Sequence, residues 1–271
     1  MKTPEIVLTI AGSDSSGGAG IQADIKTISA MGSFAASAIT SVTAQNTQGV
    51  QAIHPVPTEV VTEQIVSVME DLHPQSIKIG MVCDAEIARV IAQQLIKYKP
   101  ANVVYDPVMV ATSGSKLMTD DTIQTIREQL IPQATVITPN LHEARILLER
   151  EVNTVEDMKE GAKELGEKYG CSVLIKGGHL DGDAMCDVFY NAKTQAIELF
   201  TAPHIESSNL HGTGCTLSSA IATQLAQGKD LSTAIGEAKH YVFEAIKAAA
   251  DMHIGHGYGP LWHFYKQTKQ K

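Results

Sequence analysis

The chain has 271 residues, 44% of them hydrophobic, which is enough for one α/β domain with a substantial core. Its net charge of -9 and isoelectric point near 5.5 come with no basic stripe, which excludes a typical nucleic-acid-binding protein. No apolar run approaches the ~20 residues that span a bilayer, and the first apolar stretch is too short for a signal peptide. We therefore expect one cytoplasmic domain over residues 1–271, with neither a nucleic-acid nor a membrane partner.

Short apolar runs alternate with amphipathic stretches along the chain. Apolar residues at helical spacing, such as Ile21, Ile25 and Ile28, predict helices that bury one face. Because strands alternate with helices, we expect an α/β fold with a central, mostly parallel sheet flanked by helices on both faces. Strands are predicted at residues 6–10, 76–79, 102–105, 135–138 and 172–175, less clearly at 35–44 and 50–53, and helices also at 84–98, 120–130, 155–169, 215–227 and 231–253.

Unusual residues follow the ends of five predicted strands. In open α/β sheets, ligands bind beyond the carboxyl ends of the strands, where the loops converge. We therefore expect the functional site at this edge of the sheet. The segments concerned are the glycine-rich run at 12–20, Gly80-Met81, Asp106-Pro107, Pro139-Asn140 and Lys176-Gly177-Gly178.

The run Gly212-Thr213-Gly214-Cys215 precedes an apolar helix near the C-terminus. Unpaired N–H groups and the helix dipole make such a turn an anion site, and glycine lets the backbone approach the anion closely. An ordinary glycine turn capped by a threonine explains the same pattern. Cys215 favours a catalytic role, because a thiol at a helix N-terminus tends to have a lowered pKa and, as the thiolate, can accept a proton.

The glycine-rich run at 12–20 lies between a strand and a helix. Residues 18–23 fit a loose dinucleotide fingerprint, but residues 38–45 contain no acidic side chain for a ribose hydroxyl. A Walker A loop is also excluded, since no Gly-Lys-Ser/Thr closes the run. We interpret the run as a flexible wall that brings Asp24 and backbone amides to a small substrate.

Asn140 and Glu143 stand three residues apart where a helix begins. This spacing is typical of a capping box, in which each side chain binds the backbone of the other residue. The same pair, with Asp106 opposite, suits a magnesium ion, because Mg²⁺ prefers a few carboxylates plus phosphate oxygens. Lys176 has two interpretations as well, as a group that neutralises phosphate charge or as an ordinary solvated lysine.

Together, these segments resemble the hydroxymethylpyrimidine/phosphomethylpyrimidine kinases of thiamine biosynthesis, a branch of the ribokinase-like superfamily. The resemblance implies ATP and Mg²⁺, a homodimer, and two successive phosphorylations: of the hydroxymethyl group of 4-amino-5-hydroxymethyl-2-methylpyrimidine, then of the monophosphate. The matching motifs span nearly the whole chain: TIAGSD at 9–14, SGGAGIQAD at 16–24, AQNT at 44–47, KIGM at 78–81, TPN at 138–140 with Glu143, KGGH at 176–179 and HGTGCT at 211–216.

The resemblance also implies roles for individual residues. It implies that Gln45 hydrogen-bonds the pyrimidine and that Gly12, Asp24, Met81 and Val108 line its pocket. By the same comparison, the nucleotide phosphates and the metal are served by Asn140, Lys176, Thr213, Asp106 and Glu143, the last two as metal ligands.

Cys215 stands where many ribokinase-like sugar kinases carry an aspartate, so we expect it to be the catalytic base. A hydroxymethyl group benefits from a base, whereas a phosphate monoester is already largely anionic, with a second pKa of about 6. Loss of Cys215 is therefore predicted to impair the first transfer more than the second. The amides of Gly212, Thr213, Gly214 and Cys215 are expected to stabilise the transferred phosphoryl group in both.

Three alternative functions remain to be weighed. Some relatives phosphorylate pyridoxal and rely on a second cysteine after Asp-Pro-Val-Met, where this chain has Val110-Ala111-Thr112, which disfavours a pyridoxal kinase. A non-catalytic nucleotide- or vitamin-binding protein is disfavoured, because a silent binder does not need the full set of reactive residues. An NAD-dependent oxidoreductase is disfavoured, because the chain lacks the acidic residue that would bind the ribose of NAD.

Overall fold

A computed structural model describes residues 3–109, 118–177 and 184–268. Its strands are β1 (Ile6–Asp14), β2 (Phe34–Asn46), β3 (Gly49–Pro55), β4 (Ser76–Ile79), β5 (Val103–Tyr105), β6 (Val136–Ile137), β7 (Ser172–Lys176), β8 (Ala184–Asn191) and β9 (Ala196–Pro203). Its helices are α1 (Gly20–Ala30), α2 (Thr58–Asp71), α3 (Ala85–Tyr98), α4 (Asp120–Thr125), α5 (Leu141–Leu148), α6 (Val155–Tyr169), α7 (Thr213–Ala226), α8 (Leu231–Ala249) and α9 (Tyr265–Thr268).

Within the described ranges, the strands form one sheet in the order β3-β2-β1-β4-β5-β6-β7-β8-β9. Strands β2, β1, β4, β5, β6 and β7 are parallel to one another. At the two edges, β3, β8 and β9 each run antiparallel to the strand inside them. The predicted central, mostly parallel sheet is thus confirmed. The hairpin of β8 and β9 was not predicted.

Helices cover both faces of the sheet, because alternate residues of the buried strands point to opposite sides. Leu8 and Ile10 of β1 belong to the core cluster with α2, α3 and α6. Val7 belongs to a second cluster, with α1, α7 and α8. The covering of both faces is therefore confirmed as well.

Helix α7 crosses the second face with almost no exposed surface. All of its residues from Thr216 to Ala226 are buried. It contacts β1, β4, β5, α1 and α8, so it lies between the sheet and the outer helix layer. The turn that precedes α7 is therefore anchored to the centre of the molecule.

Two helix ends show common capping arrangements. Asp84 caps α3 by accepting hydrogen bonds from the backbone N–H groups of Glu86 and Ile87, at 2.8 and 3.2 Å. Helix α6 ends at Gly170, whose φ of 71° suits a residue without a Cβ. No helix of the described residues is long and apolar enough to cross a membrane.

Candidate active site

A cleft of about 620 Å³ opens at the carboxyl ends of the parallel strands, where the sequence predicts the site. One end lies against β1, β2 and β4 and is called here the polar end, because it carries the side chains of Asp14, Thr43, Gln45 and His211. The other end lies against β8, β9 and α8 and is mainly apolar. The turn before α7 lies on the wall between them. All predicted site residues but one line this cleft: Gly12, Gln45, Met81, Asp106, Val108, Asn140, Glu143, Lys176, Gly212, Thr213, Gly214 and Cys215.

The exception is Asp24, which the resemblance places in the substrate pocket. Its side chain is fully buried, and its carboxylate accepts hydrogen bonds from Thr9, Ser219 and Lys78, the last through Nζ at 2.8 Å from both oxygens. The prediction of a pocket-lining Asp24 is wrong, because the carboxylate is engaged on all sides behind the cleft wall. Its position one helical turn after Gly20 turns it inward.

The turn before α7 has the geometry of an anion site. Gly212 is the N-cap residue with a φ of 87°, and a Cβ there would lie 1.9 Å from the carbonyl oxygen of Gly18, so only glycine fits. Among the described residues, no acceptor is found for the backbone N–H groups of Gly214 and Cys215. These two amides point from the start of a 14-residue helix and remain available to a ligand.

Asp106 and Lys176 face this turn. Lys176 Nζ lies 2.7 Å from Asp106 Oδ1, which also accepts a hydrogen bond from Thr138 Oγ1 at 3.0 Å. A Cβ built on Gly214 would lie 3.2 Å from Asp106 Oδ2 and 3.4 Å from Lys176 Nζ. The interpretation of Lys176 as a solvated lysine is wrong, because the side chain is only 18% exposed and is paired.

The charge of Lys176 is secured by its neighbours. Burial alone would lower the pKa of this ammonium group, but Asp106 and Glu143 raise it above its ordinary value. Lys176 is therefore a fixed positive charge beside the unpaired amides of the turn.

Asn140 and Glu143 form the predicted capping box of α5. Asn140 Oδ1 accepts from the Glu143 backbone N–H at 2.9 Å, and Glu143 Oε2 accepts from the Asn140 N–H at 2.8 Å. Burial, together with the charge of Asp106, raises the pKa of Glu143 to about 7, although Lys176 and backbone hydrogen bonds lower it. The cap does not remove Glu143 from the cleft, whose wall it shares with Asp106.

Cys215 differs from expectation in its acidity. Burial raises the pKa of the thiol to about 11, although the Lys78 ammonium and a hydrogen bond from the Gly20 N–H lower it, and Asp24 and Asp106 raise it. The expected lowering by the helix N-terminus is wrong for this protein, because loss of water around the thiolate outweighs it. The side chain itself is half-buried and faces the cleft.

Asp14 and His211 are cleft residues to which the sequence assigned no role. His211 Nε2 lies 2.9 Å from Asp14 Oδ2, which also accepts from the N–H groups of Gly18 and Ala19 at 3.1 and 2.8 Å. The pair joins the glycine-rich loop to the turn before α7. Both residues belong to the motifs that carry the resemblance, and this was the only sequence signal for them.

The apolar end of the cleft could not be identified from the sequence. Leu217, Val242, Phe243 and Ile246 line it, together with the ends of β8 and β9. At its border, Lys239 pairs with Asp187, whose Oδ1 accepts a hydrogen bond from the Gly177 N–H at 3.1 Å. This end suits a flat aromatic group such as a nucleobase, held mainly by apolar contact.

A parallel sheet covered by helices, an anion-binding turn before a buried helix, and an acid–lysine pair facing that turn define a phosphotransferase of the ribokinase-like fold. The chain belongs to the phosphomethylpyrimidine kinase family, since the profile described as "Phosphomethylpyrimidine kinase" matches residues 14–262. It is 46% identical to the hydroxymethylpyrimidine/phosphomethylpyrimidine kinase of Rhizobium meliloti, over 97% of this chain and 98% of that protein.

Two solved structures show the same fold. The phosphomethylpyrimidine kinase of Clostridium difficile is 42% identical with a TM-score of 0.80, covering 89% of this chain and 99% of that chain. The ADP complex of Bacillus subtilis pyridoxal kinase is 35% identical with a TM-score of 0.89, covering 98% and 99%. The backbone alone therefore does not separate a pyrimidine kinase from a pyridoxal kinase, and the side chains of the cleft must do so.

Proposed function

We propose that this protein transfers the γ-phosphoryl group of ATP to 4-amino-5-hydroxymethyl-2-methylpyrimidine and then to its monophosphate, in thiamine biosynthesis. One observation carries the proposal: the unpaired amides of Gly214 and Cys215, with Lys176 beside them, lie between a polar and an apolar end of one cleft. If one ligand binds at each end of the cleft, the phosphoryl group transferred between them passes these amides. Sequence similarity to named pyrimidine kinases supports the substrate.

The polar end would hold the pyrimidine. Gly12, Met81 and Val108 line it, and Gln45 offers an amide to the ring. A Cβ at Gly12 would lie 2.7 Å from Met81 Cε and 2.8 Å from Ser41 Oγ, so a larger residue there would displace the pocket wall. The hydroxymethyl group would then point towards the turn before α7.

Transfer itself would depend on charge stabilisation at the midpoint. The N–H groups of Gly214 and Cys215 would bind the equatorial phosphoryl oxygens, and Lys176 would balance their charge. Thr213 and Asn140 would contact the remaining nucleotide phosphates from either side. These groups are fixed before the ligand binds, so little reorganisation accompanies the reaction.

We propose that Mg²⁺ accompanies ATP and is held by Asp106 and Glu143. Among the described residues there is no cluster of three or more His, Cys, Asp or Glu side chains that could hold a metal unaided. Two cleft carboxylates nevertheless fit, because Mg²⁺ in nucleotide sites takes one or two carboxylates and completes its shell with phosphate oxygens and water. When bound, the ion neutralises charge on the phosphates.

We expect Cys215 to contribute to the shape of the cleft rather than to take up a proton. A pKa of about 11 leaves on the order of one thiol in 10⁴ ionised at pH 7. Phosphoryl transfer through a loose transition state requires little covalent assistance from the protein. The half-buried thiol instead shapes the wall beside the incoming hydroxyl group.

We also propose that the enzyme is a homodimer, in keeping with the resemblance. The exposed apolar side chains of Phe34 and Val42 on β2 and Val60 on α2 support an association surface on this side of the sheet. Size-exclusion chromatography with light scattering would measure the mass of the protein in solution. A mass equal to one chain would contradict the dimer.

ADP release measures the proposed activity directly. With ATP and Mg²⁺, the protein should release ADP on addition of the hydroxymethylpyrimidine, and again on addition of the purified monophosphate. Absence of turnover with both would contradict the proposal. Pyridoxal is the competing substrate, because a pyridoxal kinase shares the fold at a TM-score of 0.89. The residues that bear on this alternative, Val110, Ala111 and Thr112, lie outside the described residues.

A further inference from the structure

Four side chains at the polar end of the cleft form one hydrogen-bonded chain: Asp14, His211, Gln45 and Thr43. The Gln45 amide lies in the middle. Its nitrogen is placed 3.3 Å from His211 Nε2, and its oxygen 3.3 Å from Thr43 Oγ1. The protons available on either side decide which way this amide must point.

On one side, the proton lies on His211. Burial alone would raise the pKa of Asp14, but hydrogen bonds from His211, Ser16 and the Ala19 N–H hold it well below its usual value. Asp14 is therefore a carboxylate, which can only accept hydrogen bonds. Because Nε2 of His211 lies 2.9 Å from Asp14 Oδ2, that nitrogen carries a proton and donates it.

On the other side, the proton of Thr43 is already used. Thr43 Oγ1 donates to the backbone carbonyl oxygen of Ser13 at 2.9 Å. A hydroxyl group has one proton, so towards Gln45 this oxygen can only accept.

The two sides together determine the orientation of the Gln45 amide. An amide nitrogen facing His211 sets one donor against another, and an amide oxygen facing Thr43 sets two acceptors against each other. Oxygen and nitrogen of an amide fill nearly the same space, so the hydrogen-bond partners decide the assignment. Rotation of the amide by half a turn removes both conflicts. Oε1 becomes a second, more distant acceptor for the one Nε2–H of His211, which it shares with Asp14, and Gln45 Nε2 donates to Thr43.

We propose that Asp14, His211 and Thr43 are positioning residues that lock the Gln45 amide in this orientation and thereby select an aminopyrimidine. This inference rests on the proposed function, since it takes Gln45 as the contact to the ring. The locked amide keeps one lone pair on Oε1 and one N–H on Nε2 for a ligand. An exocyclic amino group next to a ring nitrogen offers the matching donor and acceptor, as adenine does to glutamine.

The fixed orientation of the Gln45 amide also disfavours a close chemical analogue of the substrate. In the 4-oxo counterpart of the pyrimidine, the ring N–H donates and the exocyclic oxygen accepts, so the two groups face Gln45 with reversed polarity. A free glutamine would rotate to match either compound. A glutamine held by Asp14, His211 and Thr43 cannot, and discrimination follows from the hydrogen-bonded chain.

The test compares kcat/KM for the two hydroxymethylpyrimidines, 4-amino and 4-oxo, in wild type, Thr43→Val, Thr43→Ser and Asp14→Asn. Loss of one such hydrogen bond should reduce the amino-over-oxo preference about tenfold in Thr43→Val, whereas Thr43→Ser keeps the hydroxyl and the preference. Asp14→Asn should also reduce the preference, because His211 can then present either tautomer.

The outcomes separate this inference from the proposed function. An unchanged preference in Thr43→Val and Asp14→Asn, with equal losses on both compounds, overturns the lock while the kinase activity stands. If the wild type phosphorylates neither compound, the proposed function falls and the lock falls with it. Asp14 also accepts hydrogen bonds from the N–H groups of Gly18 and Ala19, so Asp14→Asn could fold poorly. In that case the two Thr43 variants alone decide the question.

Discussion

Among the described residues, two aspartate–lysine pairs interact electrostatically with Cys215, and they differ in their access to the cleft. Asp24 and Lys78 are both fully buried, with Nζ at 2.8 Å from both carboxylate oxygens. Asp106 and Lys176 make a single contact of 2.7 Å, and Lys176 remains 18% exposed at the cleft wall. The same two residue types thus occupy a closed position, away from the cleft, and an open position, at the cleft wall.

The closed pair ties two helix N-termini together. Asp24 lies one turn after Gly20 at the start of α1, and its partner Ser219 lies one turn after Cys215 at the start of α7. The Gly20 N–H in turn donates to the Cys215 thiol. The closed pair therefore aligns the helix ends that form the site, whereas the open pair lies where we propose that the chemistry takes place.

The largest expected effect is on stability, at the closed pair. Lys78→Met leaves the Asp24 carboxylate buried without its cation and should lower the free energy of unfolding by about 3–5 kcal/mol, measured by urea denaturation. The double variant Asp24→Asn/Lys78→Met removes both charges and should recover most of this loss. A single variant as stable as wild type would show that the pair is not sealed from water.

At the open pair the effect should fall on catalysis. Lys176→Met removes one charge-stabilising group from the transition state, so kcat should fall about 10²- to 10³-fold for both phosphorylations. The loss of stability should be smaller than at the closed pair, because Asp106 keeps its hydrogen bond from Thr138 and lines the cleft. Lys97→Met, at an exposed lysine 54% accessible on α3, is the matched control. A large loss of stability with intact kcat would reverse the roles assigned to the two pairs.

Glu143, beside the open pair, should make stability depend on pH. Its folded pKa of about 7 lies above the ordinary value of 4.5, so in metal-free protein the folded state holds a proton that the unfolded chain has lost. The stabilisation is complete below pH 4.5 and is lost as the pH rises to 7, by at most about 3 kcal/mol.

Glu143→Gln should flatten this dependence, because glutamine is uncharged and can still cap the Asn140 N–H. Urea denaturation at several pH values would measure the slope. A slope identical in wild type and variant would assign the pH dependence to another group.

Cys215 lies between the two pairs, and its replacement should have the smallest effect. For Cys215→Ala we expect similar losses of kcat, about tenfold, in the first and second transfers, because a thiol of high pKa contributes position rather than a base. This expectation differs from the asymmetry predicted from sequence, and measuring both transfers decides between the two. A first transfer impaired by 10²-fold or more, with the second intact, would restore the base role.

Some features of the fold and the site could be predicted from the sequence, and others could not. Periodicity and strand-end chemistry located the sheet, the cleft edge and the capping box of Asn140, because each depends on neighbours in the chain. The inward position of Asp24 and the high pKa of Cys215 could not be predicted, since both result from burial by segments distant in sequence. The hairpin of β8 and β9 was not predicted, because no residue of its outer strand is fully buried and the strand therefore has no apolar run.

Helix α7 has a consequence for how the protein opens. Its amides from Thr216 onward lie under the outer helix layer and against the sheet, so hydrogen exchange at these positions requires disruption of the whole core. The anion-binding turn is attached to the segment that should exchange last. We therefore expect the turn before α7 to keep its shape until the molecule unfolds, so a ligand that enters the open cleft meets a preformed pair of amides.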